Sequence, residues 1–178
     1  MIMKRLLTVI TVGLAVLAGA TSHAQTSKDQ MIADWQRAKN YTKAYLDAMP
    51  DDGYSFKPKP EMRTFAEQML HLTDGNYYLA GPATGKPGPL GDKSAEKTIA
   101  QTKEATTKAV MDSYDYIIAA IQSVTSEQLQ EKVTFHQRGE VTKAILISKA
   151  FEHQTHHRGQ TTVYLRLKGV TPPGEMLF

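Results

Sequence analysis

The chain contains no cysteine in its 178 residues. Disulfides, a lipid-modified N-terminal cysteine, thiolate metal ligands and thiol nucleophiles are therefore all excluded, and stability has to come from packing alone. Convincing period-two strand alternation is also missing, as are internal repeats and low-complexity tracts. A large excess of one charge sign is also lacking, with 21 Lys and Arg against 18 Asp and Glu, a formal net charge of +3. A small basic excess without a Lys/Arg block makes no case for a nucleic-acid or anionic-lipid partner.

One long hydrophobic run does exist, Leu6 to Ala20. Lys4-Arg5 precedes it and Ser22-His23-Ala24 follows. A positive n-region, a short apolar h-region and a small-x-small site read as a signal peptide over residues 1–24, because the run falls short of the roughly 20 residues that span a bilayer. The expectation is an exported protein, periplasmic or secreted, without stable membrane insertion after cleavage. Loss of Lys4 and Arg5 leaves 19 basic against 18 acidic residues. About four in ten residues are hydrophobic, which suits one globular domain over residues 25–178.

Helical periodicity fills that domain. A first helix is expected from about Lys28 to Ala48, capped by Ser27, with Met31, Trp35, Ala38, Tyr45 and Met49 on one stripe. A second should run from about Glu61 to Ala80, carry Phe65, Met69, Leu72 and Leu79 inward, and stop at Gly81-Pro82. The Gly/Pro-rich stretch from Gly81 to Asp92 reads as a loop. Its Gly81-Pro-Ala-Thr-Gly85-Lys86 is no phosphate loop, being one residue short and carrying Pro87 where Ser or Thr belongs. A third helix is expected over about Ser94 to Ser123, with Val110, Ile117 and Ile121 inward, then a capping box at Thr125-Ser-Glu-Gln128. Glu131 to Arg138 is β-prone and predicts a short extended or irregular excursion. A fourth helix follows from about Thr142 to Lys168 and closes at Gly169. The expected fold is all-α, a four-helix bundle.

Chemistry enters with the histidines. Leu146, Ala150, His153, His157, Gln160 and Tyr164 alternate four- and three-residue steps, so both imidazoles occupy one face of the fourth helix. Two nitrogens one turn apart can grip a transition metal if a third ligand arrives from another element. His71 on the second helix is the preferred third ligand and His136, in the segment before the fourth helix, its rival; His156 is ranked a neighbour of the site or a surface residue. Glu67 and Asp74 flank His71 as exposed or capping residues, or as proton carriers. Three imidazoles favour zinc, nickel, iron or copper and leave open coordination positions, the arrangement of a catalytic centre. Gln154 stands where a zincin protease has its general-base Glu, so a protease is disfavoured. Paired Glu-x-x-His elements of a carboxylate di-iron bundle are absent.

The segments Pro60 to Asn76, His153-Gln-Thr-His-His-Arg-Gly-Gln160, Tyr164 to Gly169 and Pro172-Pro173 resemble the DinB-like (DinB/YfiT-like) superfamily of metal-binding four-helix bundles. The resemblance spans Thr26 to Phe178. It implies a metal triad on His71, His153 and His157, a divalent ion such as nickel or zinc, and homodimeric assembly. Some relatives are metal-dependent transferases that use low-molecular-weight thiols, a chemistry that export argues against. The functional expectation is an exported metalloprotein acting as a hydrolase or group transferase on a small-molecule substrate that the sequence does not name. The alternative is a non-catalytic metal- or small-ligand-binding protein, and a third reading leaves the histidines merely to satisfy one another. Arg158 and Gly159 also have structural expectations, an acidic partner for the first and close helix packing for the second.

Overall fold

Residues 27–178 are described by the computed structural model, and the expected signal peptide lies outside them. The first helix, α1 (Lys28–Ala48), begins where Ser27 Oγ accepts from Gln30 N at 3.1 Å. That contact satisfies one of the free amides of the first turn. Trp35, Ala38, Tyr45 and Met49 are buried as the stripe requires.

The second helix, α2 (Phe65–Thr84), starts and ends about one turn later than expected. Thr64 and Glu67 form a reciprocal capping box, with Thr64 N donating to Glu67 Oε2 at 2.7 Å and Glu67 N to Thr64 Oγ1 at 3.0 Å. This fixes the start at Thr64 rather than behind Pro60. Gly81-Pro82 does not stop the helix, because Pro82 falls in the last turn, where its missing N–H costs one hydrogen bond. Gly85, with φ +68°, supplies the left-handed residue that closes it.

The single third helix expected over residues 94–123 is two helices. A short α3 (Ala95–Thr98) is separated by an extended Ile99 from α4 (Lys103–Gln122), which Thr102 caps. The break has a tertiary cause: Ala95 packs in a small cluster with Leu70 and Ala109, against which Ile99 and Leu90 lean, so α3 folds over α2 instead of continuing α4. Among the described residues no helix is long and apolar enough to cross a membrane.

The capping box at Thr125–Gln128 forms. The excursion is a small hairpin, β1 (Lys132–Thr134) antiparallel to β2 (Glu140–Thr142), with Val133 opposite Val141. A tight turn at His136–Arg138 joins the strands. The last helix, α5 (Lys143–Leu167), is capped by Thr142 and closed near Gly169, φ +75°.

The four long helices form a closed ring of neighbours: α1 packs on α4 and α5, and α2 packs on the same two. Met49, Phe65, Met69, Leu72, Ile117, Ile121 and Leu165 fill the interior. Each such side chain contributes about 1.5–3 kcal/mol on burial. The α2–α5 seam of this ring carries the histidines.

Candidate metal centre

Three residues on α2 receive two of the three imidazoles of α5, His153 and His157. Gln68, His71 and Gly75 lie at three- and four-residue steps and so share a face. Gly75 is the notch: a Cβ there would collide with the His153 ring, and only glycine lets that ring lie against the α2 backbone. A mid-helix glycine costs roughly 1 kcal/mol relative to alanine.

The structure brings His71, His153 and His157 together. Ring centroids are 5.3 Å apart for His71 and His153, 4.6 Å for His71 and His157, and 4.3 Å for His153 and His157. One nitrogen from each lies within 4.8 Å of the others, a cluster that could hold a metal ion. Nitrogens bound at about 2.1 Å to one tetrahedral ion lie roughly 3.4 Å apart, so the three rings would have to close inward to share an ion.

Electrostatics suit neutral ligands. Burial, reinforced by the neighbouring imidazoles, pushes His157 down to about 3 and His153 down to about 4. Desolvation penalises the charged form, and crowding three imidazoles penalises it further. Both rings are therefore neutral near pH 7, as metal ligation requires. His153 Nδ1 is buried with no hydrogen-bond partner. A buried polar atom left alone costs free energy that a ligand to that ring would offset.

His71 is oriented from outside. Its Nδ1 lies 3.1 Å from Glu96 Oε2 and 3.3 Å from Arg63 Nη2. Arg63 is itself paired with Glu96, Nε to Oε1 at 2.8 Å. The shorter contact and the carboxylate's acceptor character assign Nδ1–H to Glu96, leaving Nε2 free. Glu96 is brought there by Asp74, whose carboxylate accepts from Ser94 Oγ at 2.6 Å, Ala95 N at 2.5 Å and Glu96 N at 3.2 Å. Asp74, Glu96 and His71 also have ligand atoms close together. Both carboxylates are already engaged, which favours the histidine cluster.

His157 is held by an amide chain. Gln68 Nε2 lies 2.9 Å from His157 Nδ1 and within reach of Gln160 Oε1, and Gln160 Nε2 lies 3.0 Å from His156 Nε2. With its Nε2 toward the ring, Gln68 donates to Nδ1. Turning both amides reverses every bond while keeping every partner: His157 Nδ1–H then donates to Gln68, Gln160 donates to Gln68, and His156 donates to Gln160. The reversed chain leaves His157 Nε2 available.

His156 is exposed; it reaches the centre through Gln160 and by an edge-on contact with the His157 ring, centroids 4.9 Å apart. His136 is exposed, stacks on Tyr78 at 5.2 Å and is not part of the cluster. Glu67 is the capping residue of α2, and Asp74 caps α3. Arg158 has no acidic partner among the described ion pairs; it is buried, donates to Gln154 Oε1 at 2.8 Å and lies 4.4 Å over the Tyr41 ring. Tyr114 also donates to Gln154, and Thr42 to Tyr114, so the Gln154 that replaces a protease base is a buried structural hub. Gly159 serves no close packing, since a Cβ there would meet nothing within 4 Å. Sequence reasoning missed Gly75, Gln68, Arg63 and Glu96. A glycine inside the second helix was a signal for the first, and its spacing from His71 for the second.

Fold and cluster together define a helical-bundle protein with three imidazoles gathered from two facing helices. The chain belongs to the DinB family, whose model matches residues 23–176. It is 24% identical over 147 residues to the uncharacterized protein YjoA of Bacillus subtilis (strain 168), covering 80% of this chain and 92% of the relative. A solved DinB-like protein from Bacillus cereus ATCC 10987 superposes with a TM-score of 0.73 at 22% identity, over 84% of this chain and 98% of that one. The solved YjoA structure gives 0.66 at 23% identity, over 84% and 96%. At these identities the structures share the fold.

Proposed function

We propose that this is an exported metalloprotein that holds one divalent transition-metal ion, nickel, zinc or iron, on His71, His153 and His157, and uses the remaining positions for hydrolysis or group transfer. The observation that carries the reading is the convergence of three imidazoles, two of them pushed far below the usual histidine range and one with a buried nitrogen that has no hydrogen-bond partner. A divalent ion held there supplies Lewis acidity, polarising a substrate oxygen and acidifying water. The chain's own residues do the rest. Glu96 and Arg63 fix the His71 ring, Gln68 and Gln160 fix His157, and Gly75 lets His153 approach. Export is read from the leader-like residues 1–24.

Elemental analysis of untagged protein tests the centre. One equivalent of metal in the wild type, lost in His157→Ala with the helical circular dichroism unchanged, is expected. Equal and negligible metal in both proteins would remove the reading. A substrate screen with the identified metal then separates an enzyme from a binding protein.

A further inference from the structure

His153 stands between two cavities. One, about 620 Å³, lies between α2 and residues 88–97 and is of mixed charge, lined by Arg63, Lys93 and Lys97 as well as Asp74, Asp92 and Glu96. The other, about 860 Å³, lies between α2, the hairpin turn and the N-terminal half of α5, and no carboxylate lines it. Its basic groups are Arg138, Lys149 and His136. Lys149 is committed to Glu152, Nζ to Oε2 at 2.8 Å. Arg138 forms no ion pair among the described residues.

The apolar lining is equally uneven. Tyr78 and Ile145 line this groove while remaining 53% and 46% exposed, above a base that includes Phe135 and Leu146. His136 stacks on Tyr78 with the rings only 11° from parallel. His136 holds a left-handed backbone, φ +46°, which lets the tight turn carry Arg138 two residues later at the groove. An apolar trough of small-molecule size, with one free guanidinium at its rim and His153 on its wall, selects by charge and by surface together.

We infer that the groove takes an organic anion with a compact apolar or planar body, its anionic group on Arg138 and its body between Tyr78 and Ile145, so that the remaining end meets His153. This rests on the three-histidine centre as the seat of the chemistry and names the class of its substrate.

Calorimetric titration of the untagged full chain, metal-free and metal-loaded, with 3-phenylpropionate, its neutral amide and acetate tests the inference. A charge-assisted contact predicts about tenfold tighter binding of the acid than of the amide. Acetate, lacking the body, should bind more weakly than the acid. The preference for the acid should persist without metal and vanish in Arg138→Gln, while Tyr78→Ala weakens both aromatic probes. Equal binding of acid and amide overturns the inference. So does a preference that Arg138→Gln leaves intact, because the carboxylate would then sit elsewhere. Metal uptake measured on the same preparations reads the histidine centre separately: a wild type that takes up no metal when loaded yet keeps the Arg138-dependent preference sinks the metal reading and leaves the groove's specificity standing.

Discussion

Gly75 shows how much of the centre depends on an atom that is not there. Alanine would improve helix propensity by about 1 kcal/mol, but its Cβ would strike the His153 ring. Overpacking costs about 1–3 kcal/mol. Gly75→Ala is therefore expected to lower thermal stability despite the propensity gain and to weaken metal retention at least about tenfold, read by chelator competition; unchanged retention would dissociate the notch from the centre. Glu96→Gln should weaken retention by about 10- to 100-fold through the looser His71 ring. The His153 and His157 pair was legible, because a four-residue spacing on one helix face is a property of the sequence, and His71 was preferred to His136 because bundle sites draw ligands from facing helices. Glu96 was not, since its nearness to His71 depends on a break between α3 and α4 that a continuous-helix reading hides.

At the scale of the element, local signals located α1, α5 and the end of α4 well, while α2 moved by about a turn and the start of α4 was placed nine residues too early. The capping pair Thr64 and Glu67 was present in the sequence but was outweighed by the prolines before it. Thr64 caps α2 and also donates to Gln101 Oε1 at 2.9 Å, tying α2 to the segment between α3 and α4. Thr64→Ala should lower unfolding free energy by about 1–2 kcal/mol in denaturant titration, with Thr64→Ser recovering most of it and metal stoichiometry unchanged. Recovery no better than with alanine would assign the loss to the methyl group's packing. The split of the expected third helix had only Thr102, a single capping residue without a reciprocal partner, as a local cue. Residues 99–101 contain neither Gly nor Pro, and the decision is made by Leu70, Ala95 and Ala109 packing across elements.

For the whole molecule, the depressed histidines become a dependence of stability on pH. The unfolded chain protonates His153 and His157 near 6.5, the folded apo-protein only near 4 and 3. Their contribution is fully present above pH 6.5 and is lost as pH falls through the folded values, because the unfolded state takes up protons first. Metal-free protein should therefore lose thermal stability progressively between pH 6.5 and about 3, and bound metal should raise the midpoint at pH 7 by mass action. A midpoint rising on acidification would contradict the buried, neutral rings. The α2–α5 seam has one more consequence in a chain without cysteine. An ion gripping His71 on one helix and His153 with His157 on the other would close a loop of roughly eighty residues. That is a reversible cross-link, and the unfolded chain's entropy loss on closing it is of the same kind as a disulfide's. Where the metal is scarce the tether opens without any reductant, so the availability of the ion would govern how long the fold survives as well as what it can do.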